Sequence, residues 1–272
     1  MFGFYPLRFS FVAQERVWFP EGQAGNILRG ALGHLLRETP VYVPMFKPSG
    51  LGPSGLRDRP RPFVLRARHL DGREFRAGER FHVGFHLFDV RLQIGEIVNA
   101  FERLGRVGLG PGRGRLELRQ TSGDTAAPME IDLEPGLEVV QRVRVRFVTP
   151  TELKSRGEIA GRPEFGIVAA RIRDRISALR ELYGPGPLEL DFRAFGERAG
   201  RVGMTGCQIR QVEVVRRSSR TGQRHSIGGF IGEAEYEGEL TEFVPYLRAA
   251  QWTGVGRQTV WGKGEISVEC VG

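Results

Sequence analysis

The sequence predicts an α+β chain of two tandem βαββαβ units, residues 1–138 and 139–272, which side by side would create a cleft for a ligand. Three observations predict it. Stretches of alternating apolar residues and stretches with apolar residues at helical spacing follow one another in the order strand, helix, two strands, helix, strand. That order then starts again in the second half of the chain. In each half the second helix runs into a glycine-rich loop followed by a final strand.

From Phe4 to Val12, Leu7, Phe9 and Phe11 alternate with Arg8 and Ser10, the pattern of a half-buried strand. The spacing then predicts a helix over 24–38 with Leu28, Ala31, Leu32, Leu35 and Leu36 as its apolar stripe. Arg29, Gly30, Gly33 and Arg37 lie on its other side, with His34 on the boundary. The Pro- and Gly-rich stretch 40–62 reads as a long irregular connection of the kind that often carries function. Strands are predicted over 63–68 and 81–88, a helix over 93–104, and a strand over 115–119 after the glycines of 105–114. After a polar stretch at 121–128 and a short strand near Ile131, the second unit opens with a strand over 143–148. Phe165, Val168, Ile172, Ile176, Leu179 and Tyr183 mark one face of its first helix. Strands over 208–215 and 229–236 follow, then a helix over 241–250 that tolerates Pro245 in its first turn, and a last strand over 265–271. Strand, helix, two strands, helix, strand, twice over, is the ferredoxin-like (RRM-like) arrangement.

Composition narrows the ligand. Lys+Arg 40 against Asp+Glu 32 gives a formal charge of +8, and nearly all of the positive side chains are arginines. Guanidinium groups pair bidentately with phosphate and stack on bases, so the excess favours a nucleic acid, bound in a salt-dependent way. Cys207 and Cys270 are too few for a disulfide framework or a cysteine zinc site, so the expected compartment is the cytoplasm. The N-terminal residues show no signal peptide, and no apolar run approaches the ~18 residues needed to span a bilayer.

The chain's closing loop, Gly254-Val255-Gly256-Arg257-Gln258-Thr259-Val260-Trp261-Gly262-Lys263-Gly264, is the richest motif. Glycines at this spacing, with Arg257 and Lys263 among them, allow close backbone approach to a phosphate chain and are expected to offer amides to it. It is not a Walker A loop. Five residues separate Gly256 from Gly262, Gly264 replaces the magnesium-binding Ser/Thr, and no helix follows. A Rossmann loop is also excluded, because its glycines close an early βαβ unit whereas these lie eight residues from the C-terminus. The most basic run is Arg216-Arg217-Ser218-Ser219-Arg220-Thr221-Gly222-Gln223-Arg224-His225, which as a hairpin could track an RNA backbone. His225 is a reserve catalytic candidate. His82 and His86 share a strand face without a carboxylate or cysteine pattern to complete a metal site, and read as solvated.

With these residues in view, the chain resembles the CRISPR-associated endoribonuclease that processes precursor CRISPR RNA, a member of the RAMP superfamily. The closing loop is similar to the superfamily's Gly-h-Gly, five residues, Gly-h-Gly signature, with Lys263 replacing the second apolar residue. Leu28-Arg-Gly-Ala-Leu-Gly-His34-Leu-Leu-Arg37, Thr149-Pro-Thr-Glu-Leu-Lys154, Ser218-Ser-Arg220 and Ile227-Gly-Gly-Phe-Ile-Gly232 resemble recurring segments of bacterial members. The resemblance implies a pair of ferredoxin-like domains that bind a CRISPR repeat and cut it once, without metal or cofactor. The 2′-hydroxyl would attack the adjacent phosphate and leave a 2′,3′-cyclic phosphate.

That chemistry needs a base, an acid for the leaving oxygen and positive charge on the phosphorane. His34 is the candidate base, with Gly30 and Gly33 expected to leave room for a ribose beside it; Tyr42 and Lys47 complete the candidate catalytic set. Arg29, Arg37, Lys154, Arg216, Arg217, Arg220, Arg224, His225, Gly254, Gly256, Arg257, Gly262, Lys263 and Gly264 are the candidate RNA contacts. The expected partners are repeat RNA and other CRISPR effector subunits, with no membrane, for a monomer or homodimer. The alternative is a non-catalytic RAMP subunit that coats CRISPR RNA inside an effector complex.

Overall fold

The protein is described from a computed structural model covering residues 2–48, 59–124, 127–155, 157–213, 215–217, 224–226 and 228–271. The first half runs β1 (Phe2–Ala13), β2 (Val17–Trp18), α1 (Ala24–Leu35), α2 (Tyr42–Phe46), β3 (Phe63–Arg66), β4 (Glu74–Phe75), β5 (Arg80–Leu87), α3 (Ile94–Val107), β6 (Leu116–Ser122) and β7 (Met129–Ile131). The second runs β8 (Arg142–Thr151), β9 (Lys154–Ser155), β10 (Glu158–Ile159), α4 (Phe165–Tyr183), α5 (Phe192–Ala199), β11 (Gly203–Val212), β12 (Val215–Arg217), β13 (Arg224–Ser226), β14 (Gly229–Glu237), α6 (Val244–Thr253) and β15 (Ile266–Cys270). Short 3-10 turns lie at Arg68–Leu70 and Thr259–Trp261.

The main sheets have the orders β3-β5-β1-β6 and β11-β14-β8-β15, with β7 added to the first by pairing with β1. In each the opening strand lies between the third and the fourth of its unit, and the pairs are antiparallel. These are two tandem ferredoxin-like units. By contacts the chain divides into Gly3–Glu130 with Val260–Gly262, and Met1–Phe2 with Ile131–Thr259 and Lys263–Gly272.

Each core is the one that the alternation implies. Leu7, Phe9, Phe11 and Ala13 fill the inner face of β1, and the Phe9 ring stacks on Phe101 of α3 at a centroid distance of 3.6 Å. Leu28, Leu32 and Leu35 of α1 join the same cluster. In the second unit Phe165, Val168, Ile172, Ile176 and Leu179 form the buried stripe of α4, with Phe165 edge-on to Tyr236 and Phe243. Each such side chain removed from water contributes about 1.5–3 kcal/mol. Burial raises the Tyr236 hydroxyl pKa, and the hydroxyl donates to the Pro163 carbonyl at 2.6 Å.

Several elements depart from the sequence reading. α1 ends at Leu35 rather than near 38, because Thr39 turns back and donates its hydroxyl to the Leu36 carbonyl. The stretch 40–62 is not irregular throughout: Tyr42–Phe46 is helical, with Pro44 in the first turn where its missing amide costs nothing. α5 was not foreseen, although Asp191 caps it by accepting from the amides of Arg193 and Ala194.

The strand histidines are not simply solvated either. His86 is buried, edge-on to Phe4. His82 stacks on His69 at 4.2 Å, and burial, His69 and Arg8 lower its pKa to about 4. An imidazole neutral in the fold but protonated when unfolded makes stability present above pH ~6.5 and lost as pH falls toward 4. The urea midpoint is therefore expected to drop between pH 7 and pH 5, and to drop less in His82→Gln. Equal drops in the two proteins would remove His82 as the cause.

The outward face of the second sheet is a ladder of opposite charges. Across β8, β14 and β15, Arg142 pairs with Glu237 at 3.1 Å, Arg144 with Glu235 at 2.7 Å and Glu269 at 3.3 Å, and Arg146 with Glu233 at 3.6 Å. The register sets Arg142, Arg144 and Arg146 directly opposite Glu237, Glu235 and Glu233.

Candidate functional site

The candidate catalytic residues lie on two packed helices of the first unit. His34 is exposed on the last turn of α1, Tyr42 opens α2 and is half-buried, and Lys47 follows α2 exposed to solvent. The two helices meet at Gly33, where a Cβ would press on the Phe46 ring at 3.3 Å. Gly33 is thus a packing position and not room for a ribose, whereas Gly30 opens on free space. On α2, Tyr42 stacks on Phe46 at 5.5 Å, and the Lys47 ammonium lies 5.6 Å from the Tyr42 ring centroid. An imidazole, a phenol and an ammonium are side chains that can take part in proton transfer and charge stabilisation on a polyanion.

Arg29 has a role that the helix pattern did not reveal. Its guanidinium lies 4.4 Å from the ring centroid of Trp261 and 5.6 Å from that of Phe46. Arg37 is exposed, one turn beyond His34.

The closing loop corrects the expectation of open amides. The Gly254 amide donates to the Ala250 carbonyl, Val255 to Gly264, Arg257 to Glu152 and Gly264 to Pro150, at 2.8 to 3.2 Å. Those four donors face no anion. The loop's two cations are also engaged: Arg257 pairs with Glu152 at 2.6 Å, and Lys263 is 4% exposed. The glycines serve folding. Gly256 and Gly264 have φ of 75° and 70°, and a Cβ would run into the Glu152 carbonyl oxygen at the first and the Val255 carbonyl oxygen at the second. Gly254 and Gly262 share the left-handed conformation. Thr149–Lys154 is thereby explained as a brace for the loop, through Pro150 and Glu152, while Lys154 itself is exposed on β9. Gly264→Ala is expected to cost at least ~1–2 kcal/mol from the left-handed backbone alone. Urea unfolding measures it against Gly112→Ala, where a Cβ meets nothing within 4 Å.

At the two ends of the basic run the described residues pair as strands. β12 and β13 pair antiparallel with Arg216 opposite His225 and Arg217 opposite Arg224. Ser218 and Arg220 lie outside the described residues. Gly229 and Gly232, from the neighbouring family-like segment, let β14 approach Thr151 and Gln208 closely. Among the described residues no group of three or more His, Cys, Asp or Glu could hold a metal ion, and no helix is long and apolar enough to cross a membrane.

The chain thus carries two ferredoxin-like units, a glycine loop before the last strand and an exposed histidine on the first helix. Residues 145–266 match the model of the CRISPR-associated endoribonuclease Cas6. Residues 2–131 match a second model, described as an N-terminal domain. A Thermus thermophilus Cas6 in its product complex aligns over 99% of this chain and 100% of its own, at 18% identity and a TM-score of 0.64. A second Cas6 product complex covers 97% and 99% at 21% identity and a TM-score of 0.61. The chain of a partial Cas6-RT-Cas1–Cas2 complex covers all of this chain with 46% of its own length, at 11% identity and a TM-score of 0.66. At these identities the likeness speaks for the fold. No curated protein sequence matches the chain.

Proposed function

We propose that this protein is a metal-independent endoribonuclease that binds CRISPR repeat RNA and cuts precursor CRISPR RNA through attack of the 2′-hydroxyl, giving a 2′,3′-cyclic phosphate. The observation that carries the reading is the match of 145–266 to an endoribonuclease family. In this reading the first unit is the catalytic domain. His34 takes the 2′-hydroxyl proton, Tyr42 and Lys47 serve the leaving oxygen and the phosphorane, and no cofactor is needed. Arg37, Lys154 and the strand residues Arg216, Arg217, Arg224 and His225 are the candidate contacts to the RNA backbone. Lys263 falls out of that set because it is buried, and Arg29 because its guanidinium faces Trp261 and Phe46, whereas Arg257, paired with Glu152 but half-exposed, stays in it.

The partners are repeat RNA and, by analogy with the relative found with Cas1–Cas2, other CRISPR subunits; the compartment is the cytoplasm. The test is to incubate the purified protein with CRISPR repeats and examine the product ends. A single cut is expected, leaving a 3′ end that resists ligation until its cyclic phosphate is opened and removed. A ligatable 3′-hydroxyl would reject the mechanism, and tight binding without a cut would favour the coating subunit.

A further inference from the structure

Two of the five residues between the glycine pairs of the closing loop, Val260 and Trp261, bear on the first helix. Val260 is 5% exposed within the hydrophobic cluster that holds Leu28 and Leu32 of α1. The Trp261 carbonyl abuts Gly25, where a Cβ would collide with it, so the helix backbone and the loop backbone are in direct contact. One turn on, the Arg29 guanidinium sits 4.4 Å from the Trp261 ring centroid and 5.6 Å from that of Phe46. One further turn on, Gly33 rests on Phe46. His34 is the next residue. Helix α1 is thus held at three successive turns, two of them by Trp261, on the side that leads to the exposed imidazole.

We infer that Trp261 and Arg29 are positioning residues: they fix the height and rotation of α1, and through it the place of the His34 imidazole, without themselves touching RNA. The inference rests on His34 being the catalytic base. A cation held against an aromatic face is directional, and the energy of the contact depends on keeping the ring and the guanidinium in register. A helix free to slide or rotate by about 1 Å would misplace the imidazole, an error that can cost about 10²-fold in rate. Gly25 of α1 then has a reason of its own: only a backbone without Cβ there lets Trp261 come this close.

The experiment measures single-turnover cleavage of repeat RNA at saturating protein, with affinity read separately on RNA that carries a 2′-deoxy block at the cut. For Trp261→Ala and Arg29→Met the saturated rate should fall about 10- to 100-fold while affinity stays within about 3-fold. Trp261→Phe and Arg29→Lys, which keep a ring and a cation, should recover most of the rate. Weakened binding with an unchanged saturated rate would overturn the inference, placing the ring on the RNA instead. So would wild-type rate and affinity in both truncations. If circular dichroism shows that Trp261→Ala does not fold, the Arg29 pair decides by the same criteria. His34→Ala runs beside them: full activity there defeats the catalytic assignment beneath, whereas an inactive His34→Ala with a wild-type rate in Trp261→Ala defeats only the positioning role.

Discussion

A repeat RNA with one 2′-deoxy nucleotide immediately upstream of the scissile phosphate is expected to bind as tightly as the all-ribose RNA and not to be cut. The hydroxyl removed is the proposed nucleophile, so the loss should be complete and not graded. Binding should survive because the candidate contacts are cationic side chains and a histidine, placed to meet phosphate and not the sugar hydroxyl. Excess EDTA should leave cleavage of the unmodified RNA unchanged. Cutting of the deoxy substrate, or EDTA inhibition reversed by magnesium, would mean a water or hydroxide nucleophile of the kind that two metal ions activate about 4 Å apart.

His34→Ala should slow cleavage by roughly 10² to 10⁴ at saturating protein and leave affinity within a few-fold, since proton-transfer groups act mainly in the transition state. That factor corresponds to about 2.7–5.4 kcal/mol of barrier. The exposed position of His34, away from the buried stripe of Leu28, Leu32 and Leu35, makes a folding defect from its removal small. Wild-type activity would move the search to His225 and Lys47. Loss of both cutting and binding would make His34 structural.

Much of this was legible because periodicity reports burial directly. The alternation of Leu7, Phe9 and Phe11 and the stripe from Phe165 to Tyr183 each place a buried face, and the repeated element order gives both sheets their topology. What escaped was of two kinds. Elements of two to eight residues, such as β9, β10 and α5, are too short for a period to emerge; only a cap such as Asp191 before Phe192 marks them. Long-range partners escaped as well. Recurrent glycine announces left-handed backbone but not that Ala250, Glu152 and Pro150 carbonyls will take the loop amides. Arg29 read as solvent-facing because Trp261, more than two hundred residues later, could not be seen beside it.

The ladder on the second sheet makes net charge a poor guide to where a polyanion settles. Its opposite charges alternate at the strand spacing of about 4.8 Å, shorter than the Debye length of about 8 Å at physiological salt. Their fields cancel within a nanometre of the surface, so a phosphate chain drifting past that sheet feels neither pull nor push. The pairs are half-exposed, from 31% to 67%, and each adds little to stability. Their expected effect is on encounter with charged molecules. A basic protein with one electrically quiet face is expected to collect fewer encounters with a polyanion there.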